Sequence, residues 1–385
     1  MDGLPVEYMD RALELARGAL GWCSPNPAVG AVLVRDGRIV GEGRTQPPGQ
    51  AHAEVMALRA AGPAAAGATL YVTLEPCSHF GRTPPCTRAL IDAGVAEVHA
   101  AMLDPSPWVN GQGMAVLAAA GMTTSVGTRG DEARRVNEAY FKWVGTHLPF
   151  LTLKYAMTAD GKIATRTGSS FRVTGIEARR HVARLRASSD AVLVGVGTVL
   201  ADDPQLTSRP GEVGEPQLEP VHQPVRVVLD SSGKTSPSAR IVSGTLPGTT
   251  LVCTTERAPA SFHEALRRPG VETLVLPSRE DRVDVCAALS VLGERGVTSI
   301  LAECGGTLAS SLLDAGAVDK VLAFVAPKIV GGAEAPSPVE GAGRSQMDRA
   351  IELVDPAWTV FGRDILLTAY VGVGHPTSLS PGVEA

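Results

Sequence analysis

The sequence predicts an α/β protein made of two consecutive domains. Its 385 residues are typical of two domains rather than one. Segments with helical and strand periodicity alternate along the chain, which is the pattern of layered α/β folds. Pro149 interrupts this alternation, because proline cannot continue the helix that precedes it. We therefore predict a first domain over residues 1–147, a second over 148–373 and a flexible tail over 374–385.

The first domain is predicted to contain elements in the order α-β-β-α-β-α-β-α. An amphipathic helix comes first, and the Asp36-Gly37 turn joins the first two strands as a hairpin. Gly94 and Gly121 end two of the later helices, since glycine after a helix readily adopts the left-handed conformation. The predicted helices cover residues 7–20, 54–61, 87–93, 114–120 and 131–146, and the strands cover 29–34, 38–42, 69–74 and 95–102.

A second α/β pattern follows residue 149. Buried-type strands again alternate with amphipathic helices, and the polar, proline-rich stretch 211–224 is predicted to be a surface loop. The predicted strands cover residues 151–156, 191–196, 225–229, 250–253, 273–276, 299–302 and 320–325, and the helices cover 176–187, 282–295 and 308–314.

Composition excludes several classes of protein. Hydrophobic residues make up 44% and charged residues 19%, which indicates a folded rather than a disordered chain. The net charge of −5 and the aromatic content of 4% argue against a nucleic-acid partner. No apolar segment approaches the roughly 18 residues of a membrane span, and no secretory signal is apparent. Six cysteines are too few for a disulfide framework, so we expect the reducing cytoplasm.

The most informative residues are His52, Cys77 and Cys86, whose order and types suit a catalytic zinc site. Such a site needs three protein ligands and one open position for water. His52 stands at the start of a predicted helix, and Cys77 follows a predicted strand. Cys86 precedes another helix, whose N-terminus favours a thiolate. The sequence therefore predicts that one imidazole and two thiolates converge on Zn²⁺.

Glu54 lies two residues after His52, where its carboxylate can reach a water molecule without binding the metal. This arrangement is typical of the hydrolytic nucleobase deaminases, in which the glutamate is the general acid and base. Two alternatives remain open: the two cysteines are free core thiols, or they belong to a structural zinc site. The other cysteines, at positions 23, 253, 286 and 304, are interpreted as small apolar residues.

The spacing between the two predicted thiolate ligands is unusual, because eight residues separate them instead of two. The intervening loop contains His79 and Arg82, which suit a polar or phosphorylated substrate. His79 is also an alternative zinc ligand, although we favour contact with the substrate.

Several motifs together are similar to those of the bacterial bifunctional pyrimidine deaminase–reductase family of riboflavin biosynthesis. The motifs are PNPAVG at 25–30, HAE at 52–54, TLEPCSHFGRTPPC at 73–86, KYA at 154–156, DGK at 160–162, TVLADDP at 198–204, LTSR at 206–209 and ECGGTL at 303–308. The resemblance covers about residues 7–370.

This resemblance implies a cytidine-deaminase-like three-layer domain followed by a dihydrofolate-reductase-like domain. It also implies that the first domain hydrolyses the 2-amino group of a diaminopyrimidinone carrying a ribosylamino 5′-phosphate. The second domain would then use NADPH to reduce the ribosyl group to ribityl phosphate. A homo-oligomer is implied as well.

Read from residues alone, the second domain is less distinctive. Residues 195–200 lack the third glycine of the Rossmann fingerprint, which argues against that type of dinucleotide site. Gly305, Gly306 and Thr307 lie between a predicted strand and helix, where backbone N–H groups suit a phosphate. A tight turn without a ligand is the alternative. Asp202 is equally compatible with a turn.

The resemblance also implies which residues bind the two ligands of each reaction. One position departs from the family, since Arg172 stands where the family commonly has tryptophan near the cofactor. The implied cofactor-binding residues are Ala156, Arg172, Thr198, Ser231, Gly305, Gly306 and Thr307. The implied substrate-binding residues are Asn26, His79, Arg82, Lys154, Ser170, Asp202, Leu206, Arg209 and Glu303.

Two competing hypotheses differ from the bifunctional enzyme. The first is a deaminase of nucleotides whose C-terminal half is a binding or regulatory module, which the departure at Arg172 favours. The second is a non-catalytic α/β protein stabilised by zinc, which leaves Glu54 without a role.

Overall fold

The computed structural model describes residues 6–80, 84–106, 110–214 and 222–372. The chain divides into two compact units, Met1–His147 and Leu148–Ala385, and each unit is described by itself. No helix among these residues is long and apolar enough to cross a membrane.

The first unit contains a five-stranded sheet with the order β2-β1-β3-β4-β5. Strand β1 runs antiparallel to both of its neighbours, whereas β3, β4 and β5 are parallel. The elements are α1 Val6–Arg17, β1 Gly30–Arg35, β2 Arg38–Arg44, α2 Ala53–Ala61, β3 Thr69–Val72, α3 Cys86–Asp92, β4 Glu97–Ala100, α4 Gln112–Ala119, β5 Thr123–Val126, α5 Gly130–Val136 and α6 Glu138–Thr146.

Small residues bring helix α2 directly onto strand β2. A Cβ atom added at Gly41 would lie 2.3 Å from the carbonyl oxygen of Ala57. A Cβ atom added at Gly43 would lie 2.2 Å from the carbonyl oxygen of Ala53. No side chain fits in that space, so glycine permits the contact between the helix and the strand. Because His52 directly precedes α2 and Glu54 lies in its first turn, this close packing positions both residues.

Two details of the first unit differ from the sequence prediction. Strand β5 was not predicted, because its four residues TTSV carry no alternation of apolar and polar side chains. The helix predicted over 131–146 is broken at Asn137. The Asn137 side chain accepts a hydrogen bond from the Ala28 N–H at 2.8 Å and donates one to the Ala28 carbonyl oxygen at 3.0 Å.

The second unit contains a nine-stranded sheet with the order β10-β9-β8-β7-β13-β6-β14-β16-β15. The strands from β10 to β14 are parallel, and β16 and β15 continue the sheet in antiparallel fashion. The strands are β6 Phe150–Thr158, β7 Ala191–Gly195, β8 Val225–Leu229, β9 Thr250–Thr254, β10 Val271–Val275, β11 Ser278–Arg279, β12 Arg282–Val283, β13 Ser299–Ala302, β14 Lys320–Ala326, β15 Leu353–Phe361 and β16 Asp364–Val371. The helices are α7 Ile176–Ser188, α8 Val196–Asp202, α9 Ala260–Ala265, α10 Val285–Glu294 and α11 Gly306–Asp314.

The strand order of the parallel region places a topological switch point between β7 and β13. Strands β8, β9 and β10 follow β7 in one direction, and the chain then returns to place β13 on the other side of β7. In open α/β sheets, ligands bind in the crevice beyond the carboxyl ends of the strands at such a point. The segments after β7 and β13 are therefore expected to hold a ligand.

The predicted α/β fold class is confirmed, and every strand predicted in the second domain is present. Strands β15 and β16, the hairpin β11–β12 and helices α8 and α9 were not predicted. Strand β15 is mostly exposed and lies at the sheet edge, so it lacks a buried face that would produce a clear pattern.

The helix predicted over 282–295 begins instead at Val285, because Arg282 and Val283 belong to the hairpin β11–β12. Residues 215–221 of the predicted loop and the predicted tail lie outside the described residues.

Candidate active sites

His52, Cys77 and Cys86 come together in the first unit. The sulfur atoms of Cys77 and Cys86 lie 3.6 Å and 3.3 Å from His52 Nδ1. The three ligand atoms all lie within 4.8 Å of one another. Ligand atoms that bind a tetrahedral zinc ion at about 2.0–2.3 Å are separated from each other by roughly 3.3–3.8 Å. The donor types and spacings therefore fit Zn²⁺.

The backbone around Cys86 stabilises negative charge on Cys77. The Cys86 N–H, at the first residue of α3, donates a hydrogen bond to the Cys77 sulfur at 3.4 Å. Hydrogen bonding from the Cys86 thiol, followed by that from His52, lowers the pKa of Cys77 to about 4. The same hydrogen bond, together with burial, raises the pKa of Cys86. The pair thus holds one thiolate on its own, and a bound cation favours the second.

Glu54 lies beside this cluster and is only 4% exposed. Burial, and then the negative charge at Cys77, raise the pKa of Glu54 to about 7. A cation held by the cluster favours the ionised carboxylate, since an opposite charge nearby stabilises it. A buried carboxyl group at this position is suited to accept and return a proton.

His52 and Cys77 of this cluster, together with Glu54, line a cavity of about 200 Å³. Asn26 and His79, which were predicted to bind the substrate, also line this cavity, whereas Arg82 lies outside the described residues. Four further polar residues line the cavity but carry no sequence motif, namely Thr45, Asp104, Ser106 and Tyr140. They come from separate segments, and only folding brings them to the site.

Glu75 holds one side of this cavity in place and is also buried. Its Oε2 accepts hydrogen bonds from the N–H groups of Gly111 and Asp104, at 2.8 and 3.2 Å. Its Oε1 accepts hydrogen bonds from the N–H groups of Gly113 and Met114, at 2.8 and 3.2 Å. One carboxylate therefore binds the start of α4 and the segment that carries Asp104.

Replacing Glu75 with alanine is expected to lower the thermal unfolding midpoint of the first unit by at least about 4 °C. The change leaves buried N–H groups without partners, at a cost of about 1–3 kcal/mol each, and 1 kcal/mol corresponds to about 2–4 °C. Calorimetry on the full chain measures the shift. The control Glu14→Ala removes an exposed carboxylate from an ion pair with Arg11 and is expected to change the midpoint little. Equal midpoints for the two variants would contradict this role of Glu75.

The second unit contains a larger cavity, of about 640 Å³, at the carboxyl ends of its parallel strands. Its walls include the segments after β7 and β13 at the switch point. Ser170 and Asp202 face each other in it, because the Ser170 hydroxyl donates a hydrogen bond to Asp202 at 2.8 Å. The predicted residues that line this cavity are Ser170, Thr198, Asp202, Ser231, Gly305, Gly306 and Thr307.

The glycine turn after β13 is shaped for close approach of a ligand. A Cβ atom added at Gly305 would meet nothing within 4 Å, so this residue faces open space. A Cβ atom at Gly306 would lie 2.5 Å from the carbonyl oxygen of Ser337, so this residue must remain glycine. The turn leads into α11, and its N–H groups suit the pyrophosphate of a dinucleotide. The cavity therefore fits the cofactor that the sequence predicts.

Glu303 lies at the centre of a buried charge cluster just before this turn. It accepts hydrogen bonds from Arg186 at 2.5 and 3.0 Å and from Lys154 at 3.4 Å. Burial by itself would raise the pKa of Glu303, but the charges of Arg186 and Lys154 outweigh that effect and hold the pKa at about 2. The sequence analysis identified Lys154 and Glu303 but missed Arg186, whose position in an ordinary amphipathic helix carries no signal.

Some predicted residues do not line the large cavity. Lys154, Ala156, Leu206, Arg209 and Glu303 are absent from its walls. Arg172 is absent too, and its exposed side chain lies over the Phe171 ring at 4.7 Å.

Next to Arg209, the buried hydroxyl oxygens of Thr207 and Ser208 have no hydrogen-bond partner among the described residues. Buried hydroxyl groups without partners are uncommon, and they suit a polar ligand.

Comparisons with known proteins agree with both sites. The family described as "Cytidine and deoxycytidylate deaminase zinc-binding region" matches residues 5–102, and "RibD C-terminal domain" matches residues 149–367. Riboflavin biosynthesis protein RibD of Actinobacillus pleuropneumoniae is 41% identical over 362 residues, which are 94% of each chain. The protein of the same name from Escherichia coli K12 is 45% identical over 330 residues, or 84% of this chain and 88% of the relative.

Solved structures give the same result. Acinetobacter baumannii RibD, form 1, has a TM-score of 0.81 and 36% identity, and the match covers 96% of this chain and 99% of that one. The Thermotoga maritima diaminohydroxyphosphoribosylaminopyrimidine deaminase/5-amino-6-(5-phosphoribosylamino)uracil reductase also has a TM-score of 0.81, with 35% identity over 95% and 98% of the two chains.

The fold and the two sites define a bifunctional enzyme in which a zinc-dependent deaminase domain is joined to a reductase domain. The chain belongs to the RibD family of riboflavin biosynthesis proteins. It is therefore a hydrolase and an NADPH-dependent oxidoreductase that acts on small molecules. The alternative of a deaminase with a regulatory C-terminal module is wrong, because a reductase domain occupies that half.

Proposed function

We propose that the enzyme catalyses two consecutive steps on one pyrimidine. The first is the hydrolytic deamination of 2,5-diamino-6-ribosylamino-4(3H)-pyrimidinone 5′-phosphate. The second is the reduction, with NADPH, of the ribosyl side chain to ribityl. The observation that carries this proposal is the buried Glu54 next to the convergent His52, Cys77 and Cys86. The Thermotoga maritima relative, whose name contains both activities, supports the choice of substrate.

In the deaminase site, His52, Cys77 and Cys86 would hold Zn²⁺, which supplies the Lewis acid that makes water nucleophilic near neutral pH. Glu54 takes a proton from the attacking water and returns it to the leaving amine, which departs as ammonia. Asn26 and His79, which both line the cavity, orient the pyrimidine. Arg82 is proposed to contact the substrate as well.

In the reductase site, the glycine turn and Thr198 bind the cofactor at the switch point. We assign Ala156, Arg172 and Ser231 to the same cofactor. We assign Lys154 and Glu303, which form an ion pair, to the sugar, where their opposite charges would balance the charge that develops during reduction. The other proposed substrate-binding residues of this domain are Ser170, Asp202, Leu206 and Arg209.

The full chain, incubated with the diaminopyrimidinone ribosyl phosphate, tests this proposal by product mass. Without NADPH we expect a product in which oxygen has replaced one amino group. With NADPH we expect that same product with two further hydrogen atoms. Recovery of unchanged substrate in both reactions would overturn the proposal, and a product that stays at the ribosyl stage would overturn its second half.

The proposed functional domains are residues 1–147 for deamination and 148–373 for reduction, followed by a tail over 374–385. We also propose that the enzyme works in the reducing cytoplasm, where the free thiols of Cys77 and Cys86 remain able to bind zinc.

A homo-oligomer is proposed because the edge strand β15 presents an uncovered apolar surface. Trp358 and Val360 are 65% and 70% exposed there, and a second copy packed on this face would bury them. Analytical ultracentrifugation at micromolar concentration is expected to show an oligomer for the natural chain and a smaller species for Trp358→Lys. A monomeric natural chain would contradict the proposal.

A further inference from the structure

We propose that Asp160 and Lys162 are positioning residues of the reductase, because they join two loops that form part of the wall of its large cavity. The first is the β6 loop, residues 159–175, which connects β6 to α7. The second is the β14 loop, residues 327–352, which connects β14 to β15. The inference rests on the assignment of this cavity to the reductase, proposed above. It gives a role to the DGK motif at 160–162, which the proposed function leaves unused.

Both loops contribute residues to the wall of the cavity. Ile163 and Ser170 belong to the β6 loop, and Pro336 and Glu340 belong to the β14 loop. Glu340 reaches the glycine turn, where its Oε2 accepts a hydrogen bond from the Thr307 hydroxyl at 3.0 Å. A shift of one loop against the other therefore changes the shape of the cavity.

Asp160 binds the backbone of the β14 loop with its carboxylate. Its Oδ2 accepts a hydrogen bond from the Gly331 N–H at 2.6 Å, and its Oδ1 accepts one from the Val330 N–H at 3.2 Å. Hydrogen bonding from the Thr158 hydroxyl, and then from the Gly331 N–H, lowers the pKa of Asp160 to about 2. The carboxylate is therefore ionised at neutral pH, and hydrogen bonds to an ionised acceptor are roughly twice as strong as those between neutral groups.

Lys162 makes a second side-chain contact with the same loop. Its ammonium group donates a hydrogen bond to the carbonyl oxygen of Ala335 at 3.0 Å. The next residue, Ile163, donates a hydrogen bond from its N–H to the carbonyl oxygen of Pro336 at 3.0 Å. Because Ile163 and Pro336 both line the cavity, Lys162 joins the two loops directly beside it.

Gly161 provides the turn that lets both side chains reach the β14 loop. Its φ of +76° lies in the left-handed region, which glycine adopts without steric cost. The turn is closed by a hydrogen bond from the Thr158 N–H to the carbonyl oxygen of Lys162 at 2.9 Å. The Lys162 N–H donates a hydrogen bond back to the Thr158 hydroxyl at 3.0 Å. All three residues of the motif therefore serve the contact between the two loops.

The effect of these residues on the ligands is indirect. Neither Asp160 nor Lys162 is among the described residues that line the cavity. Ligand binding and the joined state of the loops favour each other, since coupling between two equilibria is reciprocal. If loss of one contact reduces the joined population to about a tenth, the apparent dissociation constants rise about 10-fold. Saturating ligand restores the joined state, so the rate at saturation changes little.

The test compares Asp160→Asn and Lys162→Met with the natural chain. The asparagine amide is neutral and has one acceptor oxygen instead of two, and methionine removes the donor while it keeps a similar length. We expect each variant to raise the KM of the deaminated ribosyl phosphate and the dissociation constant of NADPH by about 10-fold. We expect kcat to change by less than about 2-fold. Steady-state kinetics and calorimetry on the full chain measure these constants.

Amide hydrogen exchange in peptides that cover residues 327–336 measures the contact between the loops directly. The N–H groups of Val330 and Gly331 are expected to exchange faster in Asp160→Asn than in the natural chain, because they lose their carboxylate acceptor. Saturating NADPH is expected to slow that exchange again. A purely structural role of Asp160 does not predict this response to the cofactor.

Asp348→Asn is the matched control for Asp160→Asn. Asp348 is an exposed residue of the same β14 loop and is not among the described residues that line the cavity, so its replacement removes the same charge at another place. It is expected to leave KM, kcat and the dissociation constant of NADPH unchanged. Lys162→Arg is the control for Lys162→Met, because it keeps a charged donor, and it is expected to retain most of the affinity.

Two outcomes overturn the inference. In the first, the KM and the dissociation constant of Asp160→Asn equal those of Asp348→Asn. In the second, kcat falls while these constants stay unchanged, which would place Asp160 in the chemical step. If Asp160→Asn does not fold, the comparison of Lys162→Met with Lys162→Arg decides between the same outcomes.

Failure of the proposed function has a different signature. In that case the natural chain does not reduce the deaminated ribosyl phosphate, whereas NADPH binding and amide exchange still respond to Asp160→Asn.

Discussion

Replacement of Glu54 by glutamine is expected to reduce the rate of ammonia release by about 100- to 10,000-fold, which is the range attributed to general acid–base catalysis. Glutamine preserves the size of the buried side chain and its ability to form hydrogen bonds, but it cannot carry the proton from water to the leaving amine. Because Glu54 does not itself bind the metal in this assignment, the zinc content is expected to remain unchanged. Steady-state ammonia release and elemental analysis of the same sample measure the two effects.

The exposed residue Glu14 provides a control for this substitution. Glu14→Gln makes the same chemical change on the outer face of α1 and is expected to leave deamination unchanged. NADPH oxidation with deaminated substrate is expected to be normal in both variants. Near-normal ammonia release by Glu54→Gln would show that the carboxylate of Glu54 does not transfer the proton. Loss of zinc from this variant would show that Glu54 is itself a metal ligand.

Replacement of Cys86 by serine is expected to abolish both zinc binding and deamination. A serine hydroxyl does not ionise near neutral pH, so the site loses one of its two anionic ligands. The remaining two ligands, His52 and Cys77, are too few for a catalytic zinc site, which needs three. Without the Lewis acid, the water molecule is no longer activated. Reduction of deaminated substrate by the same protein is expected to continue, because every described residue that lines the large cavity, proposed to bind the cofactor, belongs to the second unit.

Cys286→Ser is the control for this second variant. Cys286 is an exposed free cysteine in α10, and its replacement is expected to leave zinc content and both activities unchanged. If Cys86→Ser retains a full equivalent of zinc, the assigned ligand set is incorrect. If it loses both activities together, the two halves of the chain do not work independently.

The sequence predicted the candidate zinc ligands, but it did not predict the side chains that surround them or those that surround Glu303. His52 directly precedes α2, Cys86 begins α3, and Cys77 lies in the loop between β3 and α3, so the order of helices and strands predicted that they converge. Asp104 and Tyr140 line the same small cavity, yet each lies in a separate segment without a motif. Arg186 is a similar case, because only the fold brings its helix to Glu303.

Sequence by itself predicted the two α/β domains, the candidate metal ligands with their neighbouring glutamate, and a glycine turn between a strand and a helix. All of these depend on periodicity or on spacing within a short stretch of chain, where local backbone geometry decides which side chains meet. Tertiary structure alone decided what surrounds those groups: the loop bound by Glu75 and the charge cluster around Glu303. Those arrangements join residues far apart in the chain, and only the packing of strands and helices sets the distances between them.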